Sequence, residues 1–282
     1  MRKLLSVISV TALVGTSSLS VVSCSSNKYF KEFKGWIDNK ESFILYMGAD
    51  DCEYCQGFEY LQEKESSYFK TKTKELNTNY NQEIKGLNGN YSDSMTAFGE
   101  KLNNDLEFRT MKTEEKANKF DEKWSKNILS WLVDEVTEVY KYREYNNSQL
   151  SDKLVTKLAK AKVETYLKKD NLGIPFFLVI RNGKVAGWYS GFSKEPEAGW
   201  NELVIDELFK QLNSIITNHD QETEMVNLVN NGQSTGGESG SGEGSGTGGQ
   251  SGGEEGSNPE SGETFSYVMN KNSLLIDYLM NK

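Results

Sequence analysis

Apolar residues occur along the chain in short patterned segments separated by long polar stretches. Residues 29–38 (YFKEFKGWID) carry aromatic and apolar side chains at helical spacing. Residues 42–47 (SFILYM) form a short apolar run bounded by charges and by Gly48, which predicts a buried strand. Shortly beyond it, Phe58 and Leu61 lie on one helical face. From residue 63 to 120 the chain is rich in Lys, Glu, Asn and Thr, and isolated Phe69, Leu76, Ile84, Met95, Phe98, Leu102, Leu106 and Phe120 recur at loosely helical intervals. This predicts a polar helical hairpin interrupted near residues 86–90, although such a composition also permits partial disorder. A stronger amphipathic helix is predicted over 124–136, on Trp124, Ile128, Leu129, Trp131, Leu132 and Val136. Residues 139–145 (VYKYREY) alternate as a strand does. Residues 151–169 predict a helix with Ser151 as N-cap and an apolar face of Leu154, Leu158, Ala161 and Tyr166 or Leu167. Strands are predicted at 176–180 and 184–189, joined by Asn182-Gly183, the strongest short hairpin signal. A final amphipathic helix over 200–216 presents Leu203, Ile205, Leu208, Leu212 and Ile216.

The two ends of the chain depart from this pattern. Met1-Arg2-Lys3 is basic, residues 4–22 are apolar with small residues, and Ser23-Cys24 follows, which together define an export signal. The Cys directly after Ser23 resembles the lipobox of bacterial lipoproteins. That resemblance implies cleavage after a signal peptide of residues 1–23, diacylation of the Cys24 thiol, and anchoring on the extracytoplasmic face of the cell membrane. Two acyl chains hold far better than one. The alternatives are an ordinary secretory signal with a stray Cys, or an uncleaved anchor of marginal length. At the other end, residues 231–263 are dominated by Gly, Ser and Glu without Lys or Arg, a flexible linker with a root-mean-square span of about 30 Å. An apolar tail, 264–282, follows. Its Leu274, Leu275, Tyr278 and Leu279 form a helical stripe of two turns, too short to be stable alone. The tail is therefore expected to dock, on its own domain, on a membrane surface or on an unknown partner.

Composition narrows the function. Among 282 residues, 41 are acidic and 32 basic, for a net charge of −9, which makes nucleic acid an unfavourable partner. The single His, His219, reads as a solvated residue after the last helix, and with zinc commonly requiring four ligands no metal or other cofactor is expected. Three cysteines is an odd count for an exported chain. The simplest division gives Cys24 to lipid and Cys52 and Cys55 to chemistry.

Two thiols three residues apart at a helix start can close a small disulfide ring. The first sits over unpaired N–H groups at the positive end of the helix dipole, which favours thiolate. Cys52 is thus expected as an exposed nucleophile and Cys55, one turn deeper, as the group that releases the partner. The run from Phe43 to Gly48 into Cys52-Glu53-Tyr54-Cys55-Gln56-Gly57-Phe58 resembles the active-site strand and helix of the thioredoxin superfamily. The Cys-x-Tyr-Cys spelling is similar to glutaredoxin-type and bacteriocin-accessory thioredoxin-like proteins, and Ile174-Pro175-Phe176-Phe177 resembles the family's cis-proline strand. The resemblance implies an α/β, thioredoxin-like three-layer fold split into 24–62 and 124–220, with a long helical insertion, 63–123, after the CxxC helix. It places 139–145 as the central parallel strand. It also implies a cis Ile174–Pro175 bond facing the cysteines, with Ile174, Pro175 and Tyr54 binding substrate, and protein thiols and disulfides as partners.

Several residues depart from that pattern. Asp51 precedes Cys52 where a Trp is usual, and no Pro lies between the cysteines. Asp50, Asp51 and Glu53 bring negative charge that disfavours thiolate. Tyr46 stands where thioredoxin has a buried carboxylate. The expected function is a membrane-anchored, extracytoplasmic thiol–disulfide oxidoreductase. The alternatives are a structural role for the pair, for which so short a ring is a poor staple, and a non-enzymatic surface lipoprotein, a binding or adhesion module on the same scaffold.

Overall fold

Seven consecutive buried residues, Phe43–Ala49, form the strand around which the rest is arranged. A strand buried on both faces reads as an unbroken apolar run, and FILYMGA is one. The computed structural model describes residues 27–87, 95–168, 172–194 and 199–231. The expected signal segment 1–23, Cys24, all but the first residue of the expected linker 231–263 and the tail 264–282 lie outside the described residues. In chain order the elements are α1 (Lys28–Asp38), β1 (Phe43–Ala49), α2 (Glu53–Lys64), α3 (Ser66–Gly86), β2 (Phe108–Thr113), α4 (Lys123–Tyr145), α5 (Asp152–Lys168), β3 (Phe176–Arg181), β4 (Lys184–Ser190), α6 (Glu202–Thr217) and α7 (Gln221–Asn231). Among the described residues no helix is long and apolar enough to cross a membrane.

The architecture is mixed α/β. The four strands lie in the order β2-β1-β3-β4, with β1 parallel to β2 and antiparallel to β3. Strand alternation sends successive side chains to opposite faces. Phe43, Leu45 and Met47 join Leu178 and Ile180 in a core closed by α1, α4, α5 and α7. Ile44 and Tyr46 join Phe177 and Val179 in a second core closed by α2, α3 and α6. The β3–β4 turn holds Asn182 and Gly183 at φ 47° and 77°, the left-handed values that the Asn-Gly signal requires. Asn182 is fixed further by its side-chain oxygen, which accepts from Ser42 Oγ at 3.0 Å and from Asn103 N at 2.9 Å.

Four expectations need correction. Of the polar hairpin the described residues hold only the first arm, α3, and residues 95–107 are irregular chain leading into β2. Phe108–Thr113 (FRTMKT) is an edge strand, and a strand with one neighbour keeps polar residues, which hid it. Residues 139–145 are not the parallel strand; they continue α4. Val136, Val139 and Tyr140 are buried while Tyr142 is exposed, a helical period that briefly mimics alternation. The parallel neighbour of β1 is β2 instead. On α5 the buried face is Val155, Ala159, Val163, Tyr166 and Leu167, and Leu154 and Leu158 point outward. On α6, Leu203 is exposed, whereas Val204, Phe209 and Ile215 are buried beside the expected residues. His219 is exposed as expected, with its ring 6.0 Å from Phe98, but α7 follows it.

Candidate active site

The site forms where β1 ends and α2 begins. Cys52 is the N-cap of α2, in extended conformation, and its Sγ accepts a hydrogen bond from Cys55 N at 3.3 Å. A sulfur in that position takes the place of the usual capping oxygen and meets the unpaired amides of the first turn. The Cys52 thiol also lies 3.7 Å from the Ile174 carbonyl oxygen, to which it donates. The Ile174–Pro175 bond is cis, the conformation that the resemblance implied. Ile174 meets Cys52 from a segment 122 residues away. Tyr54, partly buried, makes an edge contact with Trp200 at 6.1 Å, and Trp200 stacks on Phe192 at 5.5 Å. Gly57 allows this wall to close on α2: a Cβ there would stand 2.1 Å from the Trp200 ring.

Both thiols are free, and they differ in proton affinity. The Cys55 thiol hydrogen-bonds Cys52 and, with the backbone amides of Cys55 and Tyr54 and the charge of Lys116, brings the Cys52 thiol down from 9.0 to about 7 against the opposing effect of burial. The same hydrogen bond and burial raise Cys55 strongly. The expected exposure of Cys52 needs correction. Its residue is 1% exposed and Cys55 is 0% exposed, so neither sulfur stands open to solvent.

The acidic residues expected to oppose the thiolate are each engaged elsewhere. Asp50 pairs with Lys112 at 2.5 Å, Glu53 with Lys194 at 2.9 Å, and the Asp51 carboxylate accepts from the Lys116 backbone amide. The last contact brings the β2–α4 connection, and the Lys116 charge with it, to the mouth of α2.

Beneath Cys55 lies a polar chain of which the sequence singled out only Tyr46. Tyr46 Oη donates to Glu59 Oε1 at 2.8 Å and approaches the Cys55 carbonyl oxygen at 3.5 Å. Glu59 Oε2 in turn accepts from Lys112 Nζ at 2.9 Å. Burial holds the Tyr46 phenol well above its ordinary range, so it remains protonated. Gly48 makes room for it, since a Cβ there would lie 2.2 Å from Tyr46 Oη. The available signals were Glu59 four residues after Cys55, one turn along the same face of α2, and the unusual Tyr46. Lys112 could not be placed without β2. Among the described residues no group of three or more His, Cys, Asp or Glu side chains is arranged to hold a metal ion.

Such an arrangement can hold a thiolate and carry a neighbouring thiol as its hydrogen-bond donor. No protein-family model matches the chain, and neither a curated protein nor a solved structure matches it.

Proposed function

We propose that this chain is an exported, lipid-anchored thiol–disulfide oxidoreductase on a thioredoxin-like scaffold, working through Cys52 and Cys55. The observation that carries the reading is the lowered proton affinity of Cys52 at the start of α2, within 3.7 Å of the Ile174 carbonyl. Lowered thiol pKa at a helix N-terminus marks reactive cysteines rather than inert ones. The scaffold reading draws on the strand order with β1 central, parallel to β2 and antiparallel to β3, and on helices covering both faces.

In the proposed cycle the Cys52 thiolate attacks one sulfur of a partner disulfide. That S–S bond breaks, and the partner's other sulfur leaves as a thiolate that takes up a proton. Cys55 then loses its proton, attacks Cys52 Sγ, and releases the second partner thiol. The partner disulfide gains two electrons and two protons, and the Cys52–Cys55 dithiol becomes a disulfide. A partner dithiol drives the same steps in reverse. The proton on buried Cys55 has a route through Tyr46 Oη, which takes it while giving its own to Glu59. The Ile174 carbonyl, which accepts from the Cys52 thiol, is released when that thiol ionises and then suits pairing with an extended peptide around the partner disulfide, with Tyr54 and Pro175 flanking it. Cys24 supplies the lipid anchor.

The burial of Cys52 is the observation that favours the second reading, a binding or adhesion lipoprotein whose thiol pair is inert. One experiment separates the two. The mature chain carrying Cys55→Ser is mixed with a disulfide-bonded protein and resolved without reductant. The redox reading expects a mixed disulfide through Cys52 that dithiothreitol releases, none with Cys52→Ser, and turnover by the wild type. Absence of any adduct with Cys55→Ser, in a variant that still unfolds cooperatively, contradicts it and leaves the binding module.

A further inference from the structure

We propose that the tail, residues 264–282, docks on the outward face of α5. Leu150, Leu154 and Leu158 are 46%, 42% and 39% exposed. Leu154 and Leu158, four apart, share one face of the helix, and Leu150 lies in the turn just before it. Single exposed leucines are ordinary; two on one face of a helix with a third at its start are a contact surface in search of a cover. The inward face of the same helix is already occupied by its packing in the core with α4 and α7.

Three features point to the tail as the occupant. The first is pattern. Leu274 and Tyr278, and Leu275 and Leu279, are pairs four apart that make a matching apolar stripe, and a helix so short needs something to pack on. The second is tether. The chain leaves the described fold at Asn231, the end of α7, and Val226 and Val229 of α7 share one core with Ala159 and Val163 of α5. A Gly/Ser-rich random coil of the length of 232–263 would span about 30 Å, comparable with the length of α5, about 26 Å at 1.5 Å per residue. A linker matched to its span gives an effective concentration on the order of millimolar. The third is charge. Within 152–168 there are five Lys against Asp152 and Glu164; Lys160 is paired with Asp134, and Lys153 and Lys157 are exposed beside the leucines. Residues 232–263 carry six Glu and no basic residue. Four of these, Glu254, Glu255, Glu260 and Glu263, immediately precede the tail. A second copy of α5 on the same stripe would instead bring Lys153 and Lys157 of the two copies together. The stripe lies on the core face opposite to the one that holds Cys52 and Cys55, so the proposal is independent of the redox reading.

The test uses the full mature chain with Cys24→Ser, bearing a photo-crosslinking amino acid at position 154 or, in a second preparation, at 157. The expected product is an intramolecular cross-link from α5 to a peptide within 264–282, with a yield independent of protein concentration. Leu275→Asp with Leu279→Asp is expected to lower that yield about tenfold or more, with α5 and the cysteine pair unaffected. A cross-link between two copies that grows with concentration overturns the proposal, as does capture only in the presence of phosphatidylglycerol vesicles, or no cross-link to the tail at either position.

Discussion

One face of the sheet carries a buried polar group at each end, and the two ends behave oppositely. At the end of β1, Cys52 and Cys55 sit under the first turn of α2. At the far end of β3, Arg181 is 0% exposed. Arg181 Nη1 donates to the Ile216 carbonyl at 3.1 Å and Nη2 to Thr96 Oγ1 at 3.1 Å, while the guanidinium lies 4.8 Å from the Phe98 ring. Burial lowers it to about 10, so it keeps its proton at neutral pH. Glu222, also buried, accepts from the Thr96 amide at 3.0 Å and pairs with Arg143 at 2.9 Å, tying α7 and α4 to the same corner. The Arg181 end is locked by hydrogen bonds and rings and changes state for nothing in the physiological range. The cysteine end is equally buried but has one group whose protonation balances near neutral pH and a polar chain leading away from the other. Burial of a polar group therefore does not mark a site; burial with a movable proton does.

The largest effect that sharpens this comparison is on stability. Arg181→Ala should destabilise the fold by about 3 to 5 kcal/mol, through the cavity and the polar partners left unpaired, as read by urea unfolding. Arg181→Met, which fills the space without the charge, should recover much of that loss. Both should leave the Cys52 titration in place. A loss below about 1 kcal/mol for Arg181→Ala would remove the contrast between the two ends.

The next effect is on pH dependence. The folded Cys52 thiol is depressed from 9.0 to about 7, so between those values the folded state binds fewer protons than the unfolded state. The stability this contributes is present above pH 9 and is lost as pH falls through 7. The reduced wild type should therefore gain stability over Cys52→Ala from pH 6 to pH 9, on the order of 2 kcal/mol. Cys55, raised in the fold, works in the other sense above pH 9, where only the unfolded chain loses that proton. Parallel pH profiles for wild type and Cys52→Ala would show that no thiolate is favoured.

The smallest effect is kinetic. Glu59→Gln and Tyr46→Phe should each slow the second step, release of the partner by Cys55, by about tenfold. This is below the usual range for general-base catalysis, because water can substitute for part of the relay. Accumulation of the mixed disulfide in rapid-quench samples reads this directly, and an unchanged lifetime would assign Tyr46 and Glu59 to packing alone.

Much of the fold was legible because its cores follow simple periods. β1, β3, the Asn-Gly turn, α1 and the helix after the cysteines all appear in the residue pattern. The failures share a cause. β2 has few apolar residues because an edge strand needs few, so its Thr, Lys and Arg read as more of the polar segment. With β2 hidden, 139–145 stands out as a strand because Tyr and Val alternate there, although those residues continue α4. On α5 the two leucines looked like core because they are apolar at helical spacing, whereas the chain packs Val155, Ala159 and Val163 inward. In the site, Cys52, Cys55 and Ile174 were legible from local spelling. Lys112 and Lys116 were not, because only the fold of 108–118 brings them to α2.

The most direct test of the central claim is the rate of Cys52 alkylation by iodoacetamide as a function of pH, in the full mature chain with Cys24→Ser, reduced, alongside Cys55→Ser, with wild-type samples equilibrated in glutathione buffers. In the wild type, alkylation at Cys52 is expected to follow a single titration centred near pH 7, shifted upward when Cys55→Ser weakens the hydrogen bond from its neighbour, and the pair should interconvert between dithiol and disulfide. A Cys52 that titrates near 9, or a pair that does not exchange with glutathione in the folded protein, would contradict the account.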